Sequence, residues 1–201
     1  MNYLAHLLLS YPLPEEMVGN YMTDMLSWQE QQALTGICKR GMLIHRNIDQ
    51  FTDQHEAVRA SSKLLRETQG KYAPVVVDIV YDYLVARHWT DFCDLPLTAF
   101  IKEAYAILET FYAMMPDRIQ SRTRRMIAGD WLHQYTKVEG LEFVFARLQS
   151  RTKYPNLLNE AVTVFLRDYG KHEVYFRQFF PEMMAQIPIW RAAIEDLREA
   201  G

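Results

Sequence analysis

The chain has 201 residues, of which 49% are hydrophobic, and its 22 basic and 25 acidic residues leave a formal net charge of −3. A chain of this length and composition can bury a sizeable core, and we expect residues 1–201 to form one domain. The near balance of charge gives no reason to expect a nucleic acid or an anionic membrane as a partner.

The cysteine count and the apolar stretches bear on the compartment. Cys38 and Cys93 are the only cysteines, too few for a disulfide framework or a thiolate zinc site. The opening ten residues lack a basic segment and include His6, which argues against a secretory signal. The most apolar stretch, residues 74–86, contains two aspartates and is too short to span a bilayer. These features predict a soluble, cytoplasmic protein.

Apolar residues recur every three to four positions along nearly the whole chain, and sustained alternation with a period of two is rare. This pattern predicts an all-α, compact helical bundle. In chain order, the first predicted helices are Tyr3 to Leu9, a helix opened by Pro14 and running through Met22, Met42 to Phe51, a helix ended by Gly70, and Pro74 to about Trp89. Residues 29–34 are expected to be polar and solvated.

The second half of the chain continues the helical pattern. The predicted helices there are residues 94–115, residues 141–148, and residues 157–180 as one helix or as two parted near Gly170. Pro116 breaks the first of them and Gly140 precedes the second. Pro181 and Pro188 punctuate a tail that ends in a charged helix.

The segment from Leu43 to His55 is rich in side chains that can bind metal or transfer protons. It has two histidines, two aspartates and an arginine in thirteen residues. His45 and Asp49 stand four apart and therefore share one face of a helix. Ile44, Ile48 and Phe51 provide apolar anchoring close by. We expect this face to look into a metal-assisted hydrolytic site.

A second cluster consists of Asp78, Asp82 and His88 on the predicted helix that begins at Pro74. Two carboxylates in an apolar helix cost several kcal/mol each if they are buried without partners. Compensation is expected from Arg46, from Arg87 or from a divalent ion.

With His6, Asp24 and Asp53 added, the two clusters offer imidazole and carboxylate ligands on three or four helices, as in metal sites of helical bundles. Such donors suit Mn²⁺, Fe²⁺, Zn²⁺ or Mg²⁺, and the excess of carboxylates favours Mn²⁺ or Mg²⁺.

Ordinary explanations exist for the same residues. A histidine and an aspartate at helical spacing often make a surface contact, and His88 could be a hydrogen-bonded core histidine. Residues 52–56 resemble a capping box, with Thr52 or Asp53 as N-cap and Glu56 reaching back. Three other histidines, which lack comparable partners, are expected to be structural: His55, His133 and His172.

Other chemical motifs are weak or missing. The sequence has no Gly-rich phosphate loop, no G-x-S-x-G, no H-E-x-x-H and no cysteine-based metal spacing. Four arginines could bind phosphates or an acidic protein, although a charged helix end is the alternative. They are Arg118, Arg122, Arg124 and Arg125.

Four motifs resemble the bacterial acyl-carrier-protein phosphodiesterases. They are M-N-Y-L-A-H-L at residues 1–7, G-N-Y-M-T-D at 19–24, H-R-N-I-D-Q-F-T-D at 45–53 and V-D-I-V-Y-D-Y-L-V-A-R-H-W at 77–89. A weaker likeness continues through the Trp131 region to F-F-P at 179–181, so the resemblance covers nearly the whole chain.

The resemblance implies an all-helical fold related to HD-type metal phosphohydrolases and a divalent cation, usually Mn²⁺, with Mg²⁺ or Fe²⁺ as alternatives. It implies hydrolysis of the phosphodiester that joins 4′-phosphopantetheine to a serine of holo-acyl carrier protein, giving the apo protein. By position, the implied metal ligands are Asp24, His45, Asp49 and Asp82. The implied supporting residues are His6, Arg46, Asp53 and Asp78.

This hypothesis assigns roles to several of these residues. A metal-activated water attacks phosphorus, Arg46 neutralises phosphate charge, and His6 or Asp78 handles protons. The arginines at 118, 122, 124 and 125 form a docking surface for an acidic carrier protein.

One departure from the family pattern concerns Tyr83, at a position where many members carry a histidine. If that histidine serves the metal, Tyr83 weakens metal binding, shifts substrate choice or marks lost activity. Two other functions therefore stay open: a metal phosphohydrolase acting on a nucleotide or small phosphodiester, and a non-catalytic helical binding protein.

Overall fold

A computed structural model describes residues 1–199 of the chain and the side chains through residue 196. The described residues form helices joined by short turns and contain no strand, which confirms the predicted all-α class. The α-helices are α1 (Tyr3–Ser10), α2 (Pro14–Met22), α3 (Trp28–Ala33), α4 (Gly36–Gln54), α5 (Glu56–Gln69), α6 (Ala73–Arg87), α7 (Leu97–Thr110), α8 (Asp117–Ala128), α9 (Trp131–Gln134), α10 (Val138–Gln149), α11 (Ala161–Arg167) and α12 (Tyr169–Glu199).

The short helix α3 replaces the solvated stretch expected at residues 29–34. The Ser27 side chain accepts from the backbone N–H of Glu30, and the Glu30 carboxylate accepts from the Ser27 backbone N–H, which makes a capping box. None of the α3 residues is buried. The expected exposure is therefore correct, and the missed helix is one stabilised at its N-terminus rather than by a core face.

The capping box expected over residues 52–56 is wrong. Thr52 and Asp53 lie in the last turn of α4, which runs on to Gln54. The N-cap of α5 is His55, whose Nδ1 accepts from the backbone N–H of Ala57 at 3.2 Å. The N-terminus of α5 is therefore capped by an imidazole nitrogen, not by the hydroxyl or carboxylate that the sequence pattern predicted.

Three predicted helix breaks, at Gly140, Pro181 and Pro188, are absent. Gly140 lies inside α10 rather than ahead of it, because the lack of a side chain lets the helix approach the Gln134 carbonyl. A Cβ at that position would stand 1.9 Å from the Gln134 oxygen. Pro181 and Pro188 lie inside α12, which continues through both. The burial of the α12 side chains at Phe179, Phe180 and Met183 offsets the hydrogen bonds that proline removes.

Helix α6 is surrounded on nearly all sides, which accounts for its apolar sequence. Most of its residues are buried, including Val76, Val80 and Leu84 with no exposed surface. The apolar side chains around it form one continuous core that extends from Met1 to Ile187. Among residues 1–199, no helix has both the length and the apolar character needed to cross a membrane.

Helices α2 and α4 pack unusually closely, and two glycines permit the contact. A Cβ on Gly19 would stand 2.1 Å from the carbonyl oxygen of Cys38, and a Cβ on Gly41 would stand 2.2 Å from that of Glu16. Backbone therefore touches backbone at both positions. This close approach brings the C-terminal end of α2 against the middle of α4.

Candidate metal centre

Four side chains from three segments meet at one place: His6 of α1, Asp24 of the turn after α2, and His45 and Asp49 of α4. His45 Nε2 lies 3.0 Å from Asp24 Oδ1 and 3.1 Å from Asp49 Oδ2. His6 Nε2 lies 3.4 Å from Asp49 Oδ1. The two imidazole rings stack, with centroids 4.3 Å apart and planes at 22°. Both Nε2 atoms are therefore directed at carboxylates.

The cluster has a buried floor and an open rim. His6 and His45 are each 4% exposed. The side chains of Asp49 and Asp24 are 45% and 76% exposed. A solute can therefore reach the carboxylates and the Nε2 edge of the imidazoles, while the rest of each ring is held in the core.

A single amide from α2 fixes both imidazoles. Asn20 Oδ1 lies 2.7 Å from His6 Nδ1 and 2.9 Å from His45 Nδ1. Asn20 Nδ2 donates to the His6 carbonyl at 3.1 Å and to Ser10 Oγ at 2.6 Å, which sets the amide with its oxygen toward the rings. An acceptor at Nδ1 assigns the Nδ1–H form to both histidines.

The neutral His6 ring has fewer N–H groups than it has acceptors facing it. Burial and the neighbouring His45 charge lower the pKa of His6 to about 4, so the ring is neutral near pH 7 and has one N–H. Its two nitrogens nevertheless face two acceptors, Asn20 Oδ1 and Asp49 Oδ1. If Nδ1 carries the proton, the Nε2 lone pair points at a carboxylate oxygen. A cation between those atoms would turn this repulsion into two attractions.

His45 and the two carboxylates form a coupled ionic group. Burial lowers the pKa of His45, but the hydrogen bonds to Asp24 and Asp49 outweigh it and raise the value to about 9. Burial raises the pKa of Asp49, yet contact with both imidazoles holds it well below its usual range. The hydrogen bond to His45 likewise lowers the pKa of Asp24. Both carboxylates are ionised near pH 7 and available as ligands.

The donor set fits a divalent metal ion. One ligand atom each from His6, His45 and Asp49 lie within 4.8 Å of one another, and Asp24 adjoins them through His45. Two imidazoles with carboxylate oxygens suit Mn²⁺, Fe²⁺ or Zn²⁺ better than Mg²⁺, which prefers oxygen ligands alone. The Asn20 contacts correspond to the outer hydrogen bonds that orient metal-binding histidines.

Comparison with known proteins assigns the family. A profile described as acyl carrier protein phosphodiesterase matches residues 1–183. The chain belongs to that family. Curated relatives with the same name include proteins from Serratia proteamaculans, 29% identical over 187 residues, and Pectobacterium atrosepticum, 28% identical over 185 residues. These alignments cover 92% of this chain and 97% and 96% of the respective relatives.

Membership in the acyl carrier protein phosphodiesterase family makes the chain a hydrolase of phosphodiester bonds. A relative from Salmonella newport carries the same name and is 28% identical over 187 residues. No solved structure matches the chain. The expected relation to HD-type phosphohydrolases stays a prediction.

Asp82, which the family resemblance implied as a metal ligand, lies outside the cluster. Its carboxylate accepts from the backbone N–H groups of Asn2 at 3.1 Å, Leu4 at 2.8 Å and Ala5 at 3.4 Å. Burial raises its pKa to about 7, although these hydrogen bonds oppose the increase. Asp82 thus caps the N-terminus of α1 from α6 and fixes the helix that carries His6.

Asp78 is likewise occupied elsewhere. Its Oδ1 lies 2.9 Å from the ammonium group of Met1. Burial raises its pKa, and this ammonium group opposes the increase. The compensation expected from Arg46, Arg87 or a divalent ion therefore comes instead from backbone N–H groups and from the Met1 ammonium.

The structure places Arg46 and Asp53 beside the cluster but not in it. Arg46 is exposed and donates to Gln31 Oε1 at 2.7 Å. Asp53 lies one turn beyond Asp49 in α4, and its carbonyl accepts from Arg59. Neither side chain contacts the four cluster residues within the described part of the chain.

Tyr83 packs in the core, and His88 makes polar contacts with two side chains of α12. Tyr83 is 6% exposed and packs edge to face against Phe165, with centroids 5.8 Å apart. His88 pairs with Glu173 at 2.6 Å and with Arg177 at 2.9 Å. The family departure at Tyr83 thus lies outside the four-residue cluster.

The three histidines expected to be structural lie away from the centre, and each has a polar partner. The pairs are His55 with Glu182 at 3.2 Å, His133 with Asp130 at 2.6 Å, and His172 with Ser61 at 2.6 Å.

The arginines expected to form a docking surface do not act as one group. Arg118 forms an ion pair with Glu30, and Arg124 stacks on a tyrosine ring. Only Arg122 and Arg125 border a common cavity. The structure therefore gives no support to the four as a single surface.

Asn20 belongs to the centre, but reasoning from the sequence assigned it no role. Its spacing of four residues from Asp24 in G-N-Y-M-T-D was a usable signal, because it places both on one face of the chain near the helix end. The contact with Ser10 and the shared contact with two histidines depend on tertiary packing.

Proposed function

We propose that this chain hydrolyses the phosphodiester between 4′-phosphopantetheine and a serine of holo-acyl carrier protein, releasing the apo protein in the cytoplasm. The observation that carries the proposal is the convergence of His6 and His45 Nε2 with the carboxylates of Asp49 and Asp24. The family and the names of its relatives supply the substrate. The open rim is consistent with a substrate presented on a protein surface.

A divalent cation, Mn²⁺ by preference, is proposed to be held by His6, His45, Asp49 and Asp24. Such an ion supplies charge neutralisation at phosphorus and activation of water. Asp82 is left out of this ligand set because its carboxylate is engaged by three backbone N–H groups. Asp82 and Asp78 are instead assigned to positioning the N-terminal segment.

The chain's own groups orient the reaction. Asn20 keeps the Nε2 edges of both imidazoles toward the rim by binding their Nδ1 atoms. Arg46 follows His45 directly and is exposed, so its guanidinium is available to neutralise phosphate charge. His6 faces Asp49 through Nε2 and has a low pKa, which supports a role as ligand over the expected role as proton carrier.

Mass spectrometry of holo-acyl carrier protein incubated with the chain and Mn²⁺ tests this function. The wild type is expected to remove phosphopantetheine, and a chelator is expected to stop the reaction. His45→Ala is expected to lose activity by about 100-fold or more, because a metal ligand is missing. His133→Ala, at a partly exposed histidine away from the centre, is the matched control and should keep full activity.

Two results would contradict the proposal. Failure to release phosphopantetheine with any divalent metal, together with cleavage of small phosphodiesters, would assign the centre to another substrate. Full activity of His45→Ala would remove the centre from the reaction.

A further inference from the structure

A cavity of about 440 Å³ lies beside α1, between α8, α9 and α10. Its volume falls in the range of ligand sites. Four guanidinium groups and two aromatic side chains line it: Arg122, Arg125, Arg147, Arg151, Tyr3 and Trp131. Arg147 and Arg151 come from a region that the sequence patterns did not connect with chemistry.

Among the side chains that the structure describes, these four arginines have no acidic partner. Within residues 1–196, no carboxylate lies within ion-pair distance of any of them. Arg118, which also lies in α8, pairs by contrast with Glu30. Arg122 donates to the Tyr3 hydroxyl, and Arg147 lies over the ring of Phe143. Neither contact neutralises charge. Four like charges around one recess repel each other, so the recess is complementary to an anion.

Tyr3, which lines the cavity, belongs to the helix that carries His6. Tyr3 precedes His6 by three residues in α1, so the two side chains lie on neighbouring positions of one helix face. The Tyr3 ring also packs against Tyr21, with centroids 5.4 Å apart. Tyr21 follows Asn20 directly. An anion in the cavity would therefore lie next to the elements that carry the cluster.

We propose that the arginine cavity receives carboxylate side chains of an acidic segment of acyl carrier protein while the phosphodiester lies at the His6–His45 centre. This inference rests on the proposed function. The substrate has one phosphodiester, and the centre takes it up. The further anionic groups that a carrier protein can offer are its carboxylates, which guanidinium forks bind in a bidentate manner.

The test uses apo-acyl carrier protein as a binding probe, because its binding does not depend on cleavage. Calorimetric titration should show binding about ten-fold or more weaker to the double variant Arg125→Ala and Arg151→Ala than to the wild type. Neither side chain has an intramolecular polar partner among the described residues, so the fold should be retained, as circular dichroism can verify. Arg124→Ala, on the same helix but outside the cavity, is the matched control and should bind normally.

Kinetics separate docking from a role in the reaction. With holo-carrier protein, the double variant should raise KM about ten-fold with little change in kcat, and added salt should affect it less than the wild type. Turnover of bis(4-nitrophenyl) phosphate, which has no carboxylate, should be unchanged.

Three results would overturn the proposal. The first is equal binding of the apo-carrier protein by the double variant and the wild type, and the second is no measurable binding by the wild type. The third is an equal loss of activity on the small diester, which would make the cavity part of the reaction centre. Binding through these arginines without any phosphopantetheine release would instead refute the proposed function and leave the docking site standing.

Discussion

At the scale of single residues, Asn20 sets the orientation of both imidazoles of the centre. Its Oδ1 accepts from the Nδ1 atoms of His6 and His45. Its Nδ2 donates to Ser10 Oγ and to the His6 carbonyl. The amide therefore has one orientation, and each imidazole presents Nε2 to the rim. Without this contact, both rings could rotate or change tautomer, and the ligand atoms would no longer converge.

Asn20→Ala is accordingly expected to weaken Mn²⁺ binding by about 10- to 100-fold, the usual effect of losing an outer hydrogen bond to metal-binding histidines. Calorimetric titration of the purified variant with Mn²⁺ measures the change. Ser10→Ala is the matched control, since it removes one partner of the amide but leaves the Asn20–histidine contacts, and it should have a smaller effect. Wild-type metal affinity in a folded Asn20→Ala protein would contradict this role.

At the scale of elements, the centre depends on the contact between α2 and α4. Gly19 precedes Asn20, and Gly41 lies one turn before His45. Because backbone meets backbone at both glycines, the helices are close enough for the Asn20 amide to reach the His45 ring. The two glycines are therefore needed for the site as well as for the fold.

Gly41→Ala is expected to lower the free energy of unfolding by about 1–3 kcal/mol, because the added Cβ meets the Glu16 carbonyl and forces the helices apart. It should also weaken Mn²⁺ binding. Urea unfolding followed by circular dichroism measures the first effect. Gly170→Ala provides the control, because a Cβ there meets no neighbouring atom, and it should be neutral or stabilising. Unchanged stability in Gly41→Ala would show that the helices can separate at no cost.

Sequence periodicity predicts elements whose stability comes from an apolar face, and it therefore finds α1, α2, α6 and α7. It misses features that depend on distant partners. Pro181 and Pro188 read as breaks because the buried face that sustains α12 is supplied by other helices. Helical spacing alone pairs His45 with Asp49. The backbone N–H groups from which the Asp82 carboxylate accepts likewise have no signature in a sequence.

At the scale of the whole molecule, a buried histidine links the terminal helix to the interior. His172 of α12 has no exposed surface, and its Nδ1 lies 2.6 Å from Ser61 Oγ of α5. Burial lowers the pKa of His172 to about 4, an effect that the nearby Asp168 opposes. The ring is therefore neutral in the folded chain near pH 7.

This lowered pKa predicts a loss of stability in mild acid. Between about pH 6.5 and pH 4, the unfolded chain binds a proton at His172 that the folded chain does not, so protonation favours unfolding. The contribution of this group is complete above pH 6.5 and is lost as the pH falls through that window. The expected loss is on the order of 1–3 kcal/mol.

Urea unfolding at pH 7.5, 6, 5 and 4.5 measures the effect in the wild type and in His172→Asn, which cannot titrate. The free energy of unfolding should fall more steeply with acid in the wild type, so that the gap between the two proteins narrows as the pH decreases. His133→Asn, at a partly exposed histidine, is the control for replacing a histidine with asparagine outside the core. If His172→Asn follows the wild-type slope, acid sensitivity arises elsewhere, and the neutral state of His172 contributes nothing to the docking of α12 on α5.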